Sequence, residues 1–178
     1  EVALVGDDLV GMKPTMAVKL GEQVKVGQLL YTDKKTPGVR YTSPGAGEVV
    51  AINRGARRAF ESVVIRLSET EDHVDFGSYK GGDLSSYDRQ ALVDLMLESG
   101  EWKYIRQRPY DKVASVGETP ESVFITAIDT NPLAPKPQFV IEQFKEEFKV
   151  GIEILSKLSK TKTYVCVAPE SRIDFFST

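Results

Sequence analysis

Six short apolar runs crowd the first 68 residues: VALV, MAVKL, QLLY, VRYT, GEVVAI and SVVIRL. Glycine and proline separate them at close spacing, which leaves no room for helices and predicts an all-β sandwich or barrel. Alternation within MAVKL, with Ala17 and Lys19 set against Val18 and Leu20, predicts a half-buried strand. Between QLLY and the Ser-Pro pair at 43–44 the chain must reverse. The Pro-Gly pair in KTPG marks the reversal, next to Thr36, the midpoint of Gln28 and Pro44. Pro37-Gly38 has the chemistry of a type II turn, because proline supplies φ near −65° and glycine tolerates the positive φ that follows. Lys34 then lies about two residues down the descending strand. Lys34, Lys35 and Arg40 form a basic edge, suited either to docking an acidic partner surface or to discouraging edge-to-edge aggregation.

From Glu69 the character changes. The polar stretch SETEDHVDFGSYKGGD, with Gly81-Gly82 as punctuation, reads as a linker over 69–84. A helix should follow, with Ser85 and Asp88 spaced as a capping box, Leu92, Leu95 and Met96 on one face, and Gly100 as its stop. The stretch EWKYIRQRPYDKVASVGETPES reads as an irregular bridge into the β-branched run VFITAI, a buried strand. A Pro-rich loop, DTNPLAPKPQ, leads to a second helix with Ile141, Phe144, Phe148, Ile152, Leu155 and Leu158 on one stripe. KTYVCVAP closes the unit as another buried strand. Strand, crossover helix and strand together predict a parallel βαβ unit. The domains expected are therefore 1–68 all-β, 69–84 linker and 85–178 the start of an α/β domain, a mixed α+β chain. Glu1 runs directly into a strand and SRIDFFST ends without a closing element, so the chain reads as a piece of a longer polypeptide.

Composition removes several functions. With 41% hydrophobic and 28% charged residues and a net charge of −3, the 178-residue chain has no basic footprint for nucleic acid. A single cysteine, Cys166, sits in an apolar run and is expected to be a buried thiol. A single histidine, His73, cannot build a triad or a metal site. No catalytic residue and no metal ligand set is expected. Arg54, Arg57 and Arg58 of NRGARR could form an anion site or simply a solvated face.

Two stretches combine apolar residues with hydrogen-bond donors, as a small-molecule slot would require. One contributes Gly6, Gly11, Met12 and Lys13; the other contributes Arg106, Arg108, Tyr110 and Lys112. The plainer alternatives are an ordinary turn, a core methionine, and arginines that pair with acids or meet a neighbouring subunit.

The framework Gly21, Val24, Gly27, Gln28, Leu30, Ser43, Pro44, Gly47 and Val49 resembles the biotinyl/lipoyl-like fold over roughly residues 10–66. Such domains carry a modified lysine at the hairpin tip. The Thr-Asp-Lys identity at 32–34 suits that role, but the register sets Lys34 off the tip, so an unmodified hairpin without covalent cofactor is expected. Longer phrases, VGMKPTM, DKKTPGVRYTSPGAGEVVAINRGARR, SGEWKYIRQRP, VFITAIDTNPLAPKP and GIEILSKL, resemble the A component of the bacterial sodium-translocating NADH:quinone oxidoreductases (Na+-NQR).

That resemblance implies a biotinyl/lipoyl-like β-sandwich barrel followed by an α/β domain similar to the flavin-binding domain of complex I and its Rnf counterpart. It implies a peripheral subunit on the cytoplasmic face of the inner membrane, within a six-subunit complex. NAD, FAD, FMN and Fe–S centres would lie in other subunits, and ubiquinone would be the ligand of the two donor-bearing stretches, Gly6, Gly11, Met12 and Lys13 and Arg106, Arg108, Tyr110 and Lys112. The competing readings are a lipoyl- or biotinyl-type carrier and a flavin-binding Rnf-type subunit. Against the flavin, the turn after VFITAI holds three prolines and no glycine, whereas a phosphate needs free backbone N–H groups.

Overall fold

The computed structural model describes residues 1–169. They form two compact units that interleave along the chain: residues 1–80 with 93–118, and residues 81–92 with the part from 119 onward.

The first unit contains β1 (Val2–Val5), β2 (Pro14–Met16), β3 (Gln23–Val24), β4 (Leu29–Asp33), β5 (Arg40–Thr42), β6 (Gly47–Arg54) and β7 (Phe60–Leu67). They build a four-stranded antiparallel sheet in the order β1-β7-β6-β3 and a three-stranded antiparallel sheet in the order β2-β4-β5. Leu30, Tyr31, Val39, Tyr41, Val49, Val63 and Ile65 are fully buried and form the core. Each such apolar side chain contributes roughly 1.5–3 kcal/mol by leaving water. Val49 pairs with Ile65 and Ile52 with Val63, so the alternation of GEVVAI and SVVIRL delivers one apolar row to the interior. The MAVKL expectation fails in part: the strand ends at Met16, and although Val18 is buried, Leu20 is exposed. A turn beginning there sends Gly21 N–H to Val49 O, so the chain bends where simple alternation would have continued.

The hairpin follows the count. Thr32 pairs with Arg40 and Tyr31 with Tyr41. Val39 N–H donates to Thr36 O across a turn with Gly38 at φ 92°, the arrangement Pro37-Gly38 predicts. Lys34 differs slightly from expectation. It stands one residue past the end of β4, its N–H donating to Lys13 O at 3.0 Å. The bend there is set by Asp33, only 6% exposed, whose carboxylate oxygens accept from Lys13 N, Lys35 N and Thr36 Oγ1 at 2.8, 3.0 and 3.0 Å.

The polar stretch after β7 is tied to this unit. Val26 N–H donates to Asp72 O, Val74 N–H donates to Val26 O, and Glu98 accepts from Gly77 N–H, Ser78 N–H and the Ser78 hydroxyl. Helix α1 (Arg89–Ser99) begins after Asp88, which caps it by accepting the Ala91 N–H at 2.8 Å. The helix starts later than a cap at Ser85 would allow, because Leu84–Ser86 form a 3-10 turn; the Ser85 side chain lies outside the described ones. Gly100 ends the helix at φ 86°, in the left-handed region, as predicted. Beyond it, the expected irregular bridge is ordered instead. A 3-10 turn at Glu101–Tyr104 leads into an antiparallel hairpin of β8 (Arg106–Gln107) and β9 (Lys112–Val113). Trp102, buried, anchors the segment by donating its indole N–H to Ala114 O at 2.9 Å.

In the second unit, β10 (Val123–Ala127) and β11 (Thr163–Val167) pair in parallel, joined by α2 (Pro137–Gln143) and α3 (Lys145–Ser156), which bears out the βαβ reading. Two corrections apply. The predicted single helix is broken at Phe144 (φ −119°, ψ 46°), although no helix-breaking residue stands there. Among the described residues α3 lies against both strands on one face, while Phe124 and Tyr164 stack at 4.9 Å on the other and are exposed. Cys166 shares that open face and is exposed, contrary to the buried thiol expected from its apolar neighbours. An apolar run predicts burial on both faces only when both are covered. The closing segment SRIDFFST lies outside the described residues.

At Gly47 a Cβ would stand 2.0 Å from Arg66 O, a backbone atom of the paired strand. Gly47→Ala is therefore expected to destabilise the chain by about 3 kcal/mol. Urea denaturation followed by circular dichroism checks this, and an unchanged midpoint would contradict it.

Candidate functional site

Two cavities open in the first unit. The first, about 460 Å³, has apolar walls from Leu4, Leu9, Val26 and Phe76, with Tyr31, Lys103 and Arg106 among its polar lining. The second, about 610 Å³, is walled by Met12, Pro37, Val113 and Val116, with Lys35, Lys112, Asp33 and Tyr41 around them. Leu9 lines both.

The structure divides the sequence candidates. Gly11, Met12 and Lys112 meet at the second cavity, and Lys35, expected only to dock, joins them. A Cβ on Gly11 would stand 3.6 Å from Lys35 Nζ. Arg106 belongs to the first cavity, donating from Nη2 to Asp8 O at 2.8 Å. Gly6 lines neither; its N–H donates to Glu61 O, and a Cβ there would stand 2.3 Å from Phe60 O, so its reason is packing. Lys13 acts through its backbone, binding Asp33 and accepting from Lys34. Arg108 and Tyr110 are exposed and line neither cavity, although Lys112 Nζ lies 5.7 Å from the Tyr110 ring centroid. Lys34 and Arg40 remain exposed edge charges outside both cavities.

Sequence reasoning missed Tyr31, Tyr41, Asp33 and Leu9. The two tyrosines stack at 4.7 Å with rings 13° from parallel, and Phe60 leans on Tyr31 at 5.0 Å. A usable signal was present: the count that centres the hairpin on Thr36 places 31 opposite 41, and opposed aromatics across a strand pair interact directly.

The electrostatics favour hydrogen-bond donation. Burial above all, then the charge of Asp33, pushes the Tyr41 phenol up to about 12, with Arg106 opposing. Burial first, then Tyr41 and Asp8, pushes Tyr31 up as well. Both phenols therefore stay protonated at neutral pH and can donate. Burial pulls the Lys103 ammonium below its ordinary value, while Glu101 opposes; Nζ donates to Gly100 O at 3.1 Å. Among the described residues, no group of three or more His, Cys, Asp or Glu could hold a metal ion.

A barrel-sandwich framework followed by a parallel βαβ unit, with donor-lined cavities in the first, defines a class of multidomain scaffold. Residues 1–68 match the family model of the NqrA N-terminal barrel-sandwich hybrid domain, and residues 87–178 that of the NqrA second alpha/beta domain. The chain belongs to the NqrA family. It is similar to the A component of the Na(+)-translocating NADH-quinone reductase of Alcanivorax borkumensis, 49% identical over 99% of this chain and 39% of that protein. The corresponding protein of Saccharophagus degradans is 52% identical over 94% of this chain and 37% of its own length. That of Vibrio anguillarum is 46% identical over 93% of this chain and 37% of its own. The chain thus spans about two fifths of the length of these relatives.

The raised phenols have a consequence at alkaline pH. The folded state keeps its protons to higher pH than the unfolded chain, whose phenols titrate near 10. Their contribution to stability is therefore complete below about pH 10 and is lost as pH rises toward about 12. Denaturation midpoints measured across this range should fall, and Tyr31→Phe/Tyr41→Phe should flatten the fall. An equal slope in that variant would assign it to other groups.

Proposed function

We propose that the chain works within the NqrA component of a sodium-translocating NADH:quinone reductase, holding a quinone and docking neighbouring subunits while electrons travel through other chains. The supporting observation is the second cavity, where Gly11 and Met12 meet Lys112 and Lys35. A flat ring would lie against Met12, Pro37, Val113 and Val116, and the two ammonium groups would donate to its carbonyl oxygens. As charge develops on an oxygen during reduction, a nearby cation stabilises it most, so the same contacts that bind would ease the chemistry. Ubiquinone fits this description. NAD, FAD, FMN and Fe–S centres would belong to other members of a six-subunit complex, and sodium movement to its membrane-spanning members.

The NqrA component would be peripheral, on the cytoplasmic face of the bacterial inner membrane; among the described residues no helix is long and apolar enough to cross one. Residues 1–68 would serve as a carrier-type scaffold without cargo, 69–84 as a connection, and 85–178 as the opening of the α/β domain. Lys34 and Arg40, exposed beside the hairpin, suit contact with an acidic surface on a neighbouring chain.

A flavin phosphate is poorly served by the turn after β10. Asp129 there already accepts from Asn131 N–H at 2.9 Å, and Pro137 opens α2 without a free N–H to offer. The carrier reading is weakened by Lys34, which sits beside the β2–β4 pairing and not at the tip.

In the assembled reductase, Lys35→Ala/Lys112→Ala is expected to raise the KM for a short-chain ubiquinone at least tenfold, as loss of charge-assisted hydrogen bonds implies. NADH oxidation by an artificial electron acceptor should be unaffected. An unchanged quinone KM would defeat the proposal.

A further inference from the structure

Among the described residues of the first unit, three buried side-chain polar atoms have no hydrogen-bond partner: Tyr31 Oη, Tyr41 Oη and Arg106 Nη1. They belong to one neighbourhood, since the tyrosine rings stack and Arg106 shares the first cavity with Tyr31. A core that needed only the stacked rings could have used phenylalanine twice, with the same stacking and no stranded hydroxyl. A buried donor left unmade destabilises the protein that contains it. Three together call for an oxygen ligand that would satisfy them.

Leu9 is the residue common to the two cavities, with Tyr31 and Arg106 lining the first and Tyr41 the second. It is buried, it lines both spaces, and it sits at the middle of the Gly6–Met12 loop. That loop has slender attachments. Its own turns are closed by Leu9 N–H to Gly6 O and Met12 N–H to Leu9 O, and Arg106 Nη2 holds it at Asp8 O. Gly6, pinned to Glu61, marks its fixed end.

We propose that Leu9 is the movable wall of a single ligand slot: when the Asp7–Gly11 loop lifts, the two cavities join over a floor of Tyr31 Oη, Tyr41 Oη and Arg106 Nη1, three donors to a quinone oxygen. This rests on the quinone reading above and adds to it three direct donors and a gate. The phenol and guanidinium O–H and N–H groups all donate to the same acceptor chemistry, a carbonyl oxygen that becomes more negative on reduction. Lifting the loop also releases the Asp8 contact, which frees the second Arg106 nitrogen for the ligand.

The test uses the full chain, with ubiquinone-1 as probe. Tyr31→Phe and Tyr41→Phe keep the stacked rings and remove only the hydroxyls. Without ligand, both variants should melt at or above the wild-type temperature. With ligand, each should bind about five- to tenfold more weakly by titration calorimetry. A water-satisfied or merely structural hydroxyl predicts otherwise, so a lowered melting temperature without ligand, or unchanged affinity, overturns the slot. In stopped-flow measurements Leu9→Ala should speed both association and dissociation about tenfold, and unchanged rates overturn the gate. If Tyr31→Phe and Tyr41→Phe leave the affinity intact while the wild type binds, the slot fails and the quinone reading stands. If the wild type does not bind ubiquinone-1, both fail together.

Discussion

The carboxylate of Asp33 holds three pieces of chain that would otherwise diverge: the end of the Gly6–Met12 loop through Lys13 N–H, the bend after β4 through Lys35 N–H, and the hairpin tip through Thr36 Oγ1. Hydrogen bonds to a charged acceptor are stronger than neutral ones, and at this low exposure water competes little for them. Met12, Lys35 and Pro37, which line the second cavity, lie on or next to the residues this one side chain holds. A motif that in carrier domains would present a lysine here directs its aspartate inward, so the hairpin becomes a structural corner.

The site also depends on a segment that returns from far along the sequence. Thr42 Oγ1 donates to Ser99 O at 2.8 Å, and the chain turns at Gly100, where a Cβ would collide with the Thr42 side chain. Trp102 then locks the hairpin that carries Arg106 and Lys112. These are ordinary packing and capping interactions. Their effect is to bring cationic side chains from residues 103–112 to a β framework that supplies the apolar walls.

Much of the fold could be read directly. Short runs, a Pro-Gly turn, a helix stop at Gly100 and a helical stripe between two apolar runs all reflect local preferences, and they appear where expected except that the MAVKL strand stops at Met16 and the stripe is split at Phe144. Burial was read less well. Cys166 and Phe124 lie in runs that look like core, yet they face away from α3. Whether a strand is buried on one face or two depends on what lies above it, which periodicity in the strand itself does not encode. The same limit explains the stretch after Gly100, whose order comes from Trp102 finding Ala114 O and not from strong local propensity.

For the candidate site the division is sharper. The order of residues along the chain is enough to specify the β framework, the hairpin register that opposes Tyr31 and Tyr41, the βαβ unit and the residue types able to donate to a ligand. It took packing between distant segments to send Arg106 and Lys112 to different cavities, to add Lys35 to the second, to make Gly6 a packing requirement, and to stand Leu9 between the two spaces. Hydrogen-bonding pattern and turn chemistry act over a few residues and leave a trace in the order of the chain. Which side chain closes a cavity depends on where distant segments meet, and here a buried carboxylate and a returning hairpin set that meeting point.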